Sequence, residues 1–180
     1  MFLLLVNIHK FEENILLSFL EILLIIISSA GLLHGVLFAF YLGFFKKKKT
    51  LTNLLLGFIL IFMAFRIGKS VMMNFGDDLE PVFIFAGLAF LLLIGPLLRW
   101  YVLGMLRVNF KLTKIYFVEL IPFLLVFIMS FFITKELFEN NKIVIIILSS
   151  VLLFIYAHFA FYIGASWRFL KNKKKELIKK

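Results

Sequence analysis

Cysteine is missing from all 180 residues. That excludes disulfides and thiolate chemistry, and leaves the redox compartment unreadable. Catalytic signatures are missing as well: there is no HExxH, no GxSxG, no Walker loop and no GxGxxG. A metal site would have to be assembled from His34, His158 and distant carboxylates, so the sequence gives no grounds for an enzyme, a metal or a cofactor. Acidic residues number ten against twenty basic ones, a net charge of +10. Charge of either sign is absent from three long stretches, residues 22–45, 81–98 and 143–167.

What fills those stretches is apolar. The chain is 63% hydrophobic with a mean hydropathy of +1.08, more apolar surface than a soluble domain of this length can bury. Uncharged apolar runs of about 18 residues or more indicate membrane spans. The opening "MFLLLVNIHK" has no basic segment before its apolar residues and no small-residue cleavage site after them, so it does not read as a secretory signal and is expected to stay on the mature protein.

A hydrocarbon core of roughly 30 Å takes about 20 helical residues. The expected fold is an all-α integral membrane bundle of five helices, at about 20–45, 51–73, 82–104, 115–134 and 143–168, in one domain with a basic tail at 169–180. Glu12, Glu13 and Asn14 precede the first span and suit a helix start. The connections "KKKKT", "NFGDDLEP", "RVNFKLTK" and "KELFENNK" are short, so consecutive helices should pack antiparallel.

Cytoplasmic loops carry an excess of Lys and Arg. With residues 46–49 inside, the inner side also receives Arg99, Arg107, Lys111, Lys114 and seven basic residues from 168–180. Only Lys10, Arg66, Lys69, Lys135 and Lys142 fall outside, with eight of the ten acidic residues. The N-terminus is therefore expected outside and the C-terminus inside, in a bacterial inner membrane. The basic charge reads as topology rather than as a nucleic-acid surface. The tail "RFLKNKKKELIKK" reads either as an ordinary stop-transfer flank or as a segment lying on anionic inner-leaflet lipids.

Ionisable groups at membrane depth are costly and are functional candidates by default. Arg66 and Lys69, spaced i, i+3 in the outer part of the second span, read in two ways. They either snorkel outward and pair with Glu21 or "DDLE", or form a basic pocket for an anionic ligand or lipid headgroup. Glu119 is expected to pair with Lys114 or Lys111, and "RWY" at 99–101 to anchor at the inner interface. Gly95-Pro96 should interrupt the third span and Pro122 should kink the fourth. Gly31/Gly35 and Ala160/Gly164 form small-xxx-small pairs that suit helix contacts. His34 and His158 fall at nearly the same depth. If the first and fifth spans touch through those pairs, the two rings face each other and could share a hydrogen bond, a haem iron or a quinone; otherwise each bonds a backbone carbonyl or Tyr162.

Several stretches resemble a known family. "GLLHGVLFAFYL", "KKKKTLTNLLLGFILIFMAFR" with Asn53 opening a helix, "LIGPLLRWYV" and "VELIPFLL" are similar to the multi-span membrane region that precedes the DNA-binding domain of some AraC-type transcriptional regulators. The resemblance covers roughly residues 25–170. It implies a sensor-like membrane bundle. The 13 residues after Trp167 are too few for a helix-turn-helix, so DNA binding does not carry over. A truncated regulator and a stand-alone membrane partner both remain open. The expected function is a non-enzymatic sensory or interaction module for a small or lipid-like ligand, another membrane protein or a second copy. The alternatives are a small transporter or channel subunit, and a histidine-based haem or quinone protein.

Overall fold

The computed structural model describes residues 2–46, 50–75, 81–107, 110–134 and 142–178. Among these every regular element is helical. Helix α1 is Phe2–Phe40, closed by a π-helical turn at Tyr41–Phe45. Helix α2 is Leu51–Phe75 and α3 is Pro81–Leu106. A 3₁₀ segment at Lys114–Leu120 leads into α4, Ile121–Ser130. Helix α5 is Lys142–Ile178. Four stretches are long and apolar enough to cross a membrane: Phe19–Phe45, Leu51–Met72, Val82–Leu106 and Ile143–Lys175. The protein has the make-up of a multi-pass membrane protein.

Local chemistry explains most of the boundaries. The Asn53 backbone N–H donates to Thr50 Oγ1 at 3.2 Å, an N-cap at the start of α2. Lys46 Nζ donates to Asn53 Oδ1 at 3.1 Å and ties the inner turn to that helix. Pro81 opens α3, where its missing N–H costs nothing.

Two expectations need correction here. The helix does not start at the Glu12–Asn14 cluster: α1 is already helical from Phe2, because neither Gly nor Pro occurs before Gly31 to break it, while the apolar stretch within it, Phe19–Phe45, falls where the first span was expected. Helix α3 runs to Leu106 with Pro96 inside it, where the missing N–H leaves one intrahelical bond unmade. Pro122 lies in the first turn of α4. It lacks the N–H that would bond the Val118 carbonyl; Ile121 takes that carbonyl instead, one residue earlier, which is the 3₁₀ pattern. The stretch expected as a fourth span is thus a seven-residue 3₁₀ piece and a ten-residue α-helix.

Helix α3 is the hub. It packs against α2, α4 and α5, while α1 packs on α2. In α3, 61% of the most apolar window is buried, against 6% in α1 and in α5, so these two peripheral helices leave most of their apolar surface uncovered by the rest of the bundle. Leu91, Leu92, Leu97 and Trp100 of α3 form the core with Leu55 and Ile59 of α2 and Ile155 of α5.

Directions follow from which residues meet. Leu32, Gly35 and Ala39 of α1 meet Gly68, Ala64 and Gly57 of α2, so the pair is antiparallel. Thr52 meets Gly104, and Phe62 and Phe65 meet Phe90, so α2 and α3 are antiparallel. Trp100 meets Glu119, and Phe90 meets Phe123 and Phe127, so the chain from 114 to 130 turns back along α3. Helix α5 touches Gly95 through Tyr162, and reaches Arg66, level with Phe90, through Tyr156. Going from 156 to 162 therefore moves the same way as going from 90 to 95: α3 and α5 are parallel.

Candidate functional site

Two polar regions interrupt the apolar bundle. The first, expected to be the outer one, begins with a close approach of α1 to α2. A Cβ on Gly68 would lie 2.8 Å from Leu32 Cδ1, so glycine is what lets the leucine seat there. Beside this contact is a cavity of about 380 Å³, with Leu32 and Val36 on one wall, Phe83 of α3 on another, and α2 from Ile61 to Met72 along its length. The eleven residue steps from Ile61 to Met72 span about 16 Å of helix.

Lys69 lines this cavity. Its aliphatic stem lies against Gly87 of α3, in the space a side chain would otherwise fill. Arg66 goes elsewhere. Its Nη2 donates to the Tyr156 hydroxyl at 3.4 Å, and its guanidinium sits 5.8 Å from the centre of the Tyr156 ring. The two cations share a helix face, yet one meets α3 and the cavity while the other bridges to α5. Neither meets Glu21, an exposed residue eleven positions from Leu32 and so about 16 Å farther out along α1. The acidic residues of "DDLE" lie outside the described residues.

The inner region is built on Glu119. Arg99 Nη1 donates to Glu119 Oε1 at 2.9 Å, and Trp100 Nε1 donates to Oε2 at 3.3 Å. The Arg99 guanidinium also lies 5.9 Å from the centre of the Tyr116 ring. A Cβ on Gly95 would lie 3.2 Å from the Tyr162 ring, so this glycine sets the α3–α5 spacing. Glu119 thus takes Arg99, not the expected Lys111 or Lys114. Trp100 is not an interface anchor: it is 2% exposed, covered by the returning 3₁₀ segment. The sequence held one signal for this arrangement, a lone carboxylate at membrane depth, but not the identity of its partner.

The two histidines stay apart. Helix α1 packs on α2, and α5 on α3. His34 is exposed and its Nδ1 donates to the Ala30 carbonyl at 3.1 Å. His158 lies against Tyr162, with ring centres 4.8 Å apart and planes tilted by 52°, and its buried Nδ1 has no partner among the described residues. A Cβ added at Gly31 or Gly164 would have nothing within 4 Å, and Ala160 is exposed; of the four small residues, Gly35 makes a helix contact, against Leu60 and Ala64. The described residues hold no cluster of three or more His, Asp and Glu side chains able to take a metal ion.

No known protein family, characterised protein or solved structure matches the chain. The geometry of the site carries the functional reading.

Proposed function

We propose that the protein is a non-enzymatic sensory or interaction module of the bacterial inner membrane that binds a lipid-like ligand in the cavity between α1, α2 and α3. The cavity, with a lysine on an otherwise apolar wall, is the observation that carries this reading. Small-molecule sites typically combine apolar lining with a few placed polar groups. The resemblance to the membrane regions of AraC-type regulators points the same way.

Five crossings, N-terminus outside and C-terminus inside, complete the proposal. The parallel course of α3 and α5 supports it, since the chain between them must return across the bilayer, and the composite of 3₁₀ segment and α4 lies antiparallel to α3. The distribution of Lys and Arg supports the orientation. A transporter or channel subunit would need a continuous polar path, whereas the described centre is filled by Leu55, Leu92, Leu97 and Ile155.

Extraction of the protein into polymer nanodiscs, followed by mass spectrometry of the retained lipids, tests the ligand reading. The wild type should enrich a lipid-like molecule over the surrounding membrane. A variant with the cavity narrowed by Val36→Phe and Ile61→Trp should not. Equal lipid profiles for the two proteins would sink the reading.

A further inference from the structure

We propose that the occupant of the outer cavity is a fatty acid, a single-chain lipid carboxylate lying head-outward with its carboxylate on Lys69. This rests on the cavity being a ligand site and adds the chemistry of the ligand. Three features of the molecule carry it.

The first is the order of polarity along the cavity. Lys69 is one turn from the outer end of the apolar stretch Leu51–Met72. Inward of it the wall is Phe65, Ala64, Val36 and Ile61, with no polar side chain among them. A space with its one cation towards one end, only Met72 and Phe83 beyond it and hydrocarbon along the rest, favours an amphiphile with its head at Lys69.

The second is charge. Among the described residues Lys69 makes no hydrogen bond or ion pair, while its neighbour Arg66 is engaged by Tyr156. An ammonium at this depth is costly while uncompensated. A carboxylate beside it gains a charge-assisted hydrogen bond in a medium of low dielectric. A single positive charge matches a single negative one. Gly87 adds to this by seating the lysine stem against α3, which restricts the side chain before any ligand arrives.

The third is size. A volume of about 380 Å³ is at the small end of the ~300–1,000 Å³ usual for small-molecule sites. It suits one acyl chain rather than the two of a membrane phospholipid.

The test uses the full chain in phosphatidylcholine nanodiscs, with tritiated palmitate and methyl palmitate as probes. Palmitate should bind saturably, one per protein, and at least about tenfold more tightly than its neutral ester. Lys69→Gln should remove that preference, and Arg66→Gln should leave it within about twofold. Palmitate and ester binding equally to the wild type, with both lost on narrowing by Val36→Phe and Ile61→Trp, would overturn the carboxylate and keep the cavity as a ligand site. Saturable binding of neither, with the cavity held by phosphatidylcholine, would overturn both. Circular dichroism and a monodisperse elution profile for each variant separate lost binding from lost folding.

Discussion

The two ends of α3 handle charge in opposite ways. Near Trp100, an arginine and a glutamate 20 residues apart meet at 2.9 Å, and an indole and the Tyr116 ring pack around them. Near Gly87, a lysine lines an open apolar cavity and takes no partner among the described residues. The Trp100 end uses its charges to hold helices together. The Gly87 end leaves a charge beside a space, where the ligand is proposed to sit. The ion pair and the proposed binding site are thus divided along one helix, and substitutions at the two ends should differ in kind.

The largest effect is expected at the inner end. Glu119→Gln leaves the Arg99 guanidinium without its counter-ion in a site where the two side chains are only 25% and 18% exposed. Removing one partner of a fully buried pair costs about 3–5 kcal/mol, and partial exposure should bring this to roughly 2–4 kcal/mol. Denaturant unfolding in detergent micelles would read it. Replacing both partners with apolar residues, Arg99→Met with Glu119→Leu, should recover much of the loss, because no lone charge is left behind. A Glu119→Gln protein as stable as the wild type would break the comparison, since the inner pair would then be no more structural than Lys69.

Gly95→Leu should come next. The new side chain would start 3.2 Å from the Tyr162 ring and push α5 off α3. Overpacking of this kind costs about 1–3 kcal/mol. The same unfolding assay measures it, and a cross-link between cysteines placed at exposed positions on α3 and α5 would report the separation directly. Lys69→Gln, by contrast, should leave stability nearly untouched while it alters ligand binding.

Arg66 sharpens the comparison, because it sits at the outer end yet is paired. Its bond to Tyr156 is long, at 3.4 Å, and exposed. Interhelical hydrogen bonds in membranes average about 0.6 kcal/mol, with a maximum near about 1.7 kcal/mol. A double-mutant cycle of Arg66→Gln and Tyr156→Phe should give a coupling of roughly 0.5 kcal/mol. A coupling above about 2 kcal/mol would put Arg66 with the structural group at the inner end.

What the sequence made legible, and what it hid, follows the same physics. Length and apolar content placed the apolar stretches of α1, α2 and α3 to within two residues at both ends, and that of α5 at its start, while its end runs seven residues past the expected 168. The order of polar residues along each helix was also legible, at a fixed rise per residue. Azimuth and neighbour order were not. Arg66 and Lys69 share a face, but each side chain is long enough to reach a different helix. Trp100 has the composition of an interface anchor, and only the return of the 3₁₀ segment over it makes it core. Pro122 was readable as a perturbation, but whether it bends a helix or starts one depends on the residues before it. Glu119 could be flagged, but its partner comes from a helix packed across the bundle.

The smallest effect is expected at His34, and it tests how far exposure alone decides. Equal depth made His34 and His158 candidate partners, yet α2 and α3 stand between their helices. His34 faces outward from α1, and its one hydrogen bond runs back to the Ala30 carbonyl four residues earlier. That carbonyl already accepts the regular helical bond, so losing the imidazole leaves no backbone group unsatisfied. A leucine there gains contact with lipid at no polar cost. His34→Leu should therefore change unfolding stability by less than about 0.5 kcal/mol, the usual range for substitutions away from packed features. His158 makes the counter-test. It is packed on Tyr162 beside the inner ion pair, so His158→Leu should cost more than His34→Leu in the same assay. Equal and large losses at both positions would mean that the two imidazoles do meet, through a second copy of the chain, and chemical cross-linking in the membrane would then show the dimer.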